Sequence, residues 1–179
     1  YIEQWGIART DLNNDFIGKI DHGASILEVG CNRGNQLNIL EKAGFRNLWG
    51  IEINKKALSL AKENKSWNIV EGSAFDIPFK DGFFDIVFTS GVLIHISPKD
   101  LLKVMDEMYR VTKKFIWGFE YFSEKCEEIN YRDHTDRLWK NNFSKLFLER
   151  YPNLKIIKQR KLKYVQNDNT DIMYLLEKT

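Results

Sequence analysis

Apolar and polar positions follow two periods along this chain, and the switches between them predict its elements. Short apolar runs of strand length occupy residues 25–29, 47–53, 67–70, 84–88 and 114–119. Between them, residues 35–43 carry Leu37, Ile39 and Leu40 at helical spacing and stop at Gly44. Asn54 is a capping residue for a helix over 55–64. Ser97-Pro98 predicts the start of a helix over 98–112, with Leu101, Leu102, Met105, Met108 and Tyr109 on one face. A helix is also predicted over 136–150, with Leu138, Trp139, Phe143, Leu146 and Phe147 turned inward. Residues 154–165 and 171–177 form a last pair of strands across the polar turn Gln166-Asn-Asp-Asn169. That connection is too short for a helical crossover, so this pair must be antiparallel. Repeated β-α-β units with short links predict an α/β fold, a mostly parallel sheet covered on both faces.

Composition narrows the picture. In 179 residues, 43% hydrophobic and 13% aromatic side chains suffice for one core, so a single domain over 1–179 is expected. Within it, 1–21 reads as an N-terminal lid or helical segment and 22–179 as the α/β core. The net charge of +2 argues against a polybasic nucleic-acid binder. Charge is unevenly spread, with 10 basic and 12 acidic side chains up to residue 97 and 17 against 13 beyond it. Cys31 and Cys126 offer neither a disulfide framework nor metal-ligand spacing, and no metal is expected. No apolar run reaches the roughly 18 residues of a membrane span. The start lacks a basic flank before an apolar stretch, so a cytoplasmic location is expected. Tyr1 stands where an initiator Met would, which suggests numbering from inside a longer chain.

In such a sheet, ligands bind beyond the carboxyl ends of the strands. The first strand ends in Glu28-Val-Gly-Cys-Asn-Arg-Gly34, where Gly30 and Gly34 allow positive φ or close approach, and Asn32 tolerates left-handed geometry. The spacing matches neither a dinucleotide fingerprint nor a phosphate-binding P-loop. Glu52, followed by Ile53, ends the second strand 22 residues after Gly30, where a carboxylate can accept both hydroxyls of a ribose. Gly72-Ser-Ala-Phe-Asp-Ile-Pro-Phe79 supplies a loop to flank an adenine: Phe75 or Ile77 to stack, Ser73 or Asp76 to meet the amino group. At the end of the fourth strand, Ser90 and Gly91 leave room for a ligand's tail.

These segments, in this order and spacing, resemble the class I S-adenosylmethionine-dependent methyltransferases over roughly residues 25–120. The resemblance implies a Rossmann-like three-layer sandwich whose seven-stranded, mostly parallel sheet has an antiparallel last strand. It also implies S-adenosyl-L-methionine as cofactor, with Glu28, Gly30 and Gly34 beside its methionine part and Glu52 at the ribose. Ser73 and Ala74 would lie near the adenine, and Ser90, Gly91 and Val92 under the sulfonium. Gly72-Ser-Ala-Phe-Asp76, Thr89-Ser-Gly-Val-Leu-Ile-His-Ile96, Tyr131-Arg-Asp-His-Thr-Asp-Arg-Leu138 and the ending Asp171-Ile-Met-Tyr-Leu-Leu-Glu-Lys178 are similar to methylases associated with pseudaminic acid and related surface-glycan biosynthesis. Relatives tend to carry Gly at the place of Asp133 and Asp at that of Asn142.

Methyl transfer to a hydroxyl benefits from a general base, and His95 after the fourth strand is the candidate, its alternative being a loop-fixing hydrogen bond. Tyr131, Arg132, His134 and Arg137 crowd a segment expected to overhang the strand ends, where arginine can clamp an acidic acceptor. Glu120 and Tyr121, at the end of the fifth strand, are candidates to line the same acceptor pocket. Tyr1 and Trp5 are candidates for a lid, or for a helix packed on the domain. The expected partner is a small, anionic acceptor such as a sugar acid or nucleotide-activated sugar, with no nucleic acid and no membrane. An RNA methyltransferase and a non-catalytic cofactor-binding module remain the alternatives.

Overall fold

The computed structural model describes residues 4–130, 133 and 135–179. In chain order its elements are α1 Arg9–Ile17, β1 Ser25–Val29, α2 Asn35–Lys42, β2 Asn47–Glu52, α3 Lys55–Ala61, β3 Asn68–Glu71 and β4 Phe84–Ser90. A 3-10 turn over Leu93–His95 follows, then α4 Leu101–Val111, β5 Thr112–Tyr121, β6 Glu127–Glu128 and β7 Trp139–Lys140. The chain closes with α5 Phe143–Arg150, β8 Leu154–Lys163 and β9 Thr170–Lys178. Seven strands form one sheet in the order β3-β2-β1-β4-β5-β9-β8, while β6 and β7 pair separately. The five strands from β1 to β5 run parallel, and β9 is antiparallel to both its neighbours. This is the Rossmann-like sandwich with an antiparallel last strand.

The sheet order reverses at β1 and β4, so the loops after β1, β2 and β4 open onto one edge. Burial explains why the order holds. Leu27, Val87, Val104, Met105, Met108 and Phe147 join one core under α4 and α5. Leu12, Phe16, Leu37, Leu40, Phe88 and Trp117 join the other under α1 and α2. Each fully buried apolar side chain contributes about 1.5–3 kcal/mol before entropy is counted. The N-terminal segment is therefore part of the domain: α1 lays Leu12, Phe16 and Ile17 against the sheet.

Helix boundaries differ from the expected ones at several points, and the helix expected over 55–64 ends at Ala61. The helix expected at 98 begins at Leu101, because the Ser97 carbonyl accepts the N–H groups of both Asp100 and Leu101 in a preceding turn. Its inward face is Leu101, Val104, Met105, Met108 and Val111, leaving Leu102 at 46% exposure. The helix expected over 136–150 covers only Phe143–Arg150. Asp136 has φ +57, which no α-helix admits, and Trp139–Lys140 pairs as a strand with Glu127–Glu128. Asn142 caps the shortened helix, its Oδ1 accepting from the Lys145 N–H at 3.2 Å. Asp133 sits at φ +62, a conformation that glycine adopts without strain.

Gly118 on β5 lies opposite Tyr174 on β9, and the Tyr174 ring covers it. A Cβ at Gly118 would stand 2.1 Å from Tyr174 Cζ, and Tyr174 is fully buried. Gly118→Ala is expected to cost about 1–3 kcal/mol by overpacking, read as a lower thermal midpoint in circular dichroism. An unchanged midpoint would show that the ring moves aside freely.

Candidate functional site

The loops at the reversal point enclose a cleft of about 650 Å³. Its floor begins with Glu28 at the end of β1 and the turn that follows. Gly30, Asn32 and Gly34 take φ of +74, +49 and +81, so this turn winds left-handed at alternate residues. The amides of Gly30 and Cys31 both donate to the Ile51 carbonyl, at 2.9 and 3.0 Å, which ties the turn to β2. A Cβ on Gly30 would stand 2.8 Å from Val92 Cγ2, so glycine lets the first and fourth loops meet.

Glu52 supplies the opposite wall. Its Oε2 accepts the Asn32 N–H and its Oε1 the Asn54 N–H, each at 2.8 Å. With 9% of its surface exposed, the carboxylate still has lone pairs directed at the cleft it lines. Glu28 is more deeply buried, and its Oε2 has no hydrogen-bond partner among the described residues. Burial pushes the Glu28 carboxyl well up from the usual carboxylate range, and the nearby Arg9 charge opposes that. Cys31, also in the wall, is pushed up to about 12 by burial and then by the charges of Glu28 and Glu52, so it stays a thiol.

Ile53 and Phe75 line the cleft at 68% and 46% exposure, two large apolar surfaces that folding leaves open. Ser73 and Ala74 stand beside them, and Ser90, Gly91, Val92 and His95 close the other end. Of the expected cofactor-side residues, Gly34, Asp76 and Ile77 fall outside the lining. A Cβ on Gly34 would meet the Trp67 ring at 2.2 Å, so Gly34 serves the packing behind the loop. Ile77 is 1% exposed in the core, which corrects its candidacy for stacking.

The acceptor-side expectations divide more sharply. His95 lines the cleft, and its Nδ1 lies 2.9 Å from the Arg137 carbonyl. A carbonyl only accepts, so Nδ1 is the nitrogen that donates here. The tie brings exposed Arg137 beside His95. Glu120 does not line the cleft: it is 1% exposed and spends its carboxylate on the amides of Val92 and Ile94. Tyr121 is half-buried, pairs with Asp171 across the sheet and is likewise outside the lining. Tyr1, Tyr131, Arg132 and His134 lie outside the described residues.

Arg9 was invisible to periodicity. Its Nη2 donates to Ser90 Oγ at 3.3 Å, its Nε to Asn13 Oδ1 at 3.0 Å, and its guanidinium sits 3.8 Å over the Phe119 ring centre. Trp5 packs edge-on against the same Phe119 and donates its indole N–H to Asp171 Oδ2 at 2.8 Å. Nothing in the sequence near Arg9 marks it, because only the folded α1 carries it to Ser90.

Residues 27–115 match the family model described as a methyltransferase domain. An uncharacterised methyltransferase of Synechocystis sp. is 34% identical over 95 residues, which span 52% of this chain and 44% of that protein. The chain thus spans under half the length of this relative. A solved Burkholderia thailandensis 1,6-didemethyltoxoflavin-N1-methyltransferase, with bound 1,6-didemethyltoxoflavin and S-adenosylhomocysteine, has a TM-score of 0.74. It shares 14% identity and covers 95% of this chain and 76% of its own. The cyclase SpnF shares the fold equally well, with a TM-score of 0.76 at 14% identity over 94% of this chain and 79% of its own. These likenesses establish the fold, while the domain match carries the chemistry. The site fits S-adenosylmethionine: buried Glu28 has an oxygen without a partner for a cationic amino group, and Glu52 can accept from hydroxyls. Among the described residues no helix is long and apolar enough to cross a membrane.

Two measurements test this geometry. Glu52→Ala removes an acceptor of two backbone amides, and S-adenosylhomocysteine affinity in calorimetry is expected to fall at least about ten-fold, given about 1.5–3 kcal/mol per hydrogen bond to a charged group. Unchanged affinity would remove Glu52 from the binding wall. Burial also pushes the Asp171 carboxyl up to about 6, against hydrogen bonds from Tyr164 and Trp5. A folded-state value above the unfolded one favours folding below about pH 4, an advantage lost as pH rises through 6. Relative to Asp171→Asn, the wild type should therefore lose thermal stability between about pH 4 and 6. Parallel stability curves for the two proteins would refute this.

Proposed function

We propose that this S-adenosylmethionine-dependent methyltransferase domain methylates a hydroxyl of a small anionic acceptor, of the class of sugar acids and nucleotide-activated sugars. The observation that carries the reading is His95, in the cleft wall with its Nδ1 turned onto the Arg137 carbonyl. Bound S-adenosylmethionine supplies an electrophilic methyl group on a sulfonium. Glu52 takes the ribose hydroxyls, Ile53 and Phe75 cover the adenine with Ser73 and Ala74 beside it, and Glu28 faces the amino group. Gly30 and Asn32 bring backbone close, and Ser90, Gly91 and Val92 line the methyl end.

The remaining tasks are alignment, water exclusion and disposal of one proton. His95 Nε2 would accept that proton from the acceptor hydroxyl as the new bond to carbon forms and the carbon–sulfur bond breaks to leave a neutral thioether, and the resulting imidazolium keeps its Nδ1 hydrogen bond to Arg137. The exposed Arg137 guanidinium meets the acceptor's negative charge, in the same segment as Tyr131, Arg132 and His134. The likeness of four segments to surface-glycan methylases supports a sugar acceptor. A small acceptor is also supported by β8, where Lys158 pairs with Asp15 and Lys161 with Glu124, which leaves the basic strand partly neutralised.

A labelled-methyl screen over sugar acids, sugar nucleotides and phosphorylated metabolites, with an RNA control, tests the acceptor class. His95→Ala is expected to lower kcat on a hydroxyl acceptor about 10²–10⁴-fold while cofactor affinity stays unchanged. Transfer to RNA alone, or full turnover by His95→Ala, would overturn the reading.

A further inference from the structure

The turn that presents His95 to the cleft cannot hold itself. Leu93–His95 is a single 3-10 turn, too short to satisfy its leading amides internally. Inside it, the His95 N–H returns to the Val92 carbonyl at 3.0 Å and the Ile96 N–H to that of Leu93 at 3.1 Å. The amides ahead of these find partners on β5. The Gly91 N–H donates to the Phe119 carbonyl at 2.8 Å. The next residue on β5 is Glu120, whose Oε1 accepts from the Val92 N–H at 3.2 Å and whose Oε2 accepts from the Ile94 N–H at 3.4 Å. On the far side, His95 is tied to the Arg137 carbonyl. Among the described residues, the segment carrying Gly91, Val92 and His95 is thus held from β5 on one side, in part by a carboxylate, and from Arg137 on the other.

A carboxylate is an expensive anchor. Glu120 is 1% exposed, and burying an ionised carboxyl costs several kcal/mol unless hydrogen bonds offset it. An apolar side chain would fill the same space without that penalty, but it would not hold two amides at defined points. Burial pushes Glu120 up to about 7, against the amides of Val92, Leu93 and Ile94. Burial and then the Glu120 charge push up the Tyr174 hydroxyl on β9, which has no partner among the described residues.

We propose that Glu120 is a positioning residue for methyl transfer, its carboxylate holding the turn over 92–95 so that Val92 and His95 face the cleft. The consequence for turnover rests on the function proposed above, whereas the geometry stands without it. Releasing the turn separates His95 from the Arg137 carbonyl that selects its tautomer. Cofactor binding by Glu28 and Glu52, on other strands, should change little.

Nitrogen-15 NMR of the full chain saturated with S-adenosylmethionine reads this directly. The wild-type His95 ring is expected as the Nδ1–H tautomer, and Glu120→Gln should shift it to a mixture. Cofactor affinity by calorimetry should stay within about three-fold, and kcat on an acceptor found by the screen should fall at least about ten-fold. A folded Glu120→Gln protein with an unchanged His95 tautomer overturns the proposal. If that variant does not fold, the wild type decides. The Val92 and Ile94 amide resonances should move together with one midpoint as Glu120 titrates, and amides flat from about pH 5 to 9 overturn the proposal. A wild type that binds no S-adenosylmethionine would instead fail the functional reading, and the titration would still test the anchor.

Discussion

Each oxygen of Glu52 holds a backbone amide, Asn32 from the loop after β1 and Asn54 from the turn into α3. These two bonds join the first two loops of the sheet into one wall. The turn from Gly30 to Gly34 alternates between left-handed and ordinary backbone. Such a turn has little local preference of its own and needs an outside partner to settle. Charge-assisted bonds to a buried carboxylate are among the strongest available to it. The same oxygens retain acceptor capacity toward the cleft that Glu52 lines.

The second wall follows the same logic with a different carboxylate. Glu120 holds the amides after β4 as Glu52 holds those after β1 and β2. The electrostatic settings differ. Glu52 sits at the rim of an open cleft, whereas Glu120 is sealed under its loop with no cation among the groups that shift it. Between the two walls, Arg9 brings positive charge to Ser90 and tempers both Glu28 and Asp171. Arg137, whose carbonyl meets His95, comes from the basic second half.

Much of this was legible before folding. Strand ends at Glu28, Glu52 and Ser90 could be located because apolar runs stop where polar or small residues begin, and a parallel sheet brings those ends together. The pair of last strands followed from a turn too short for a crossover. Misreadings arose where local pattern and tertiary pairing compete. Leu138 and Trp139 have helical spacing to Phe143 and are buried, yet they pack from an extended segment opposite Glu127–Glu128. Glu120 looked like a pocket residue because it ends a strand, but alternation points its side chain beneath the loop.

The sequence by itself determined the order of elements, the parallel sheet and the residue types at each strand end, because hydrophobic period and turn chemistry are local properties. Only the tertiary structure decided which carboxylate faces the cleft and which faces a loop, since that depends on strand register and on amides far along the chain. Placing Arg9 against Ser90 and Trp5 against Asp171 likewise required the fold. Their partners lie 81 and 166 positions away, a distance no periodicity can report.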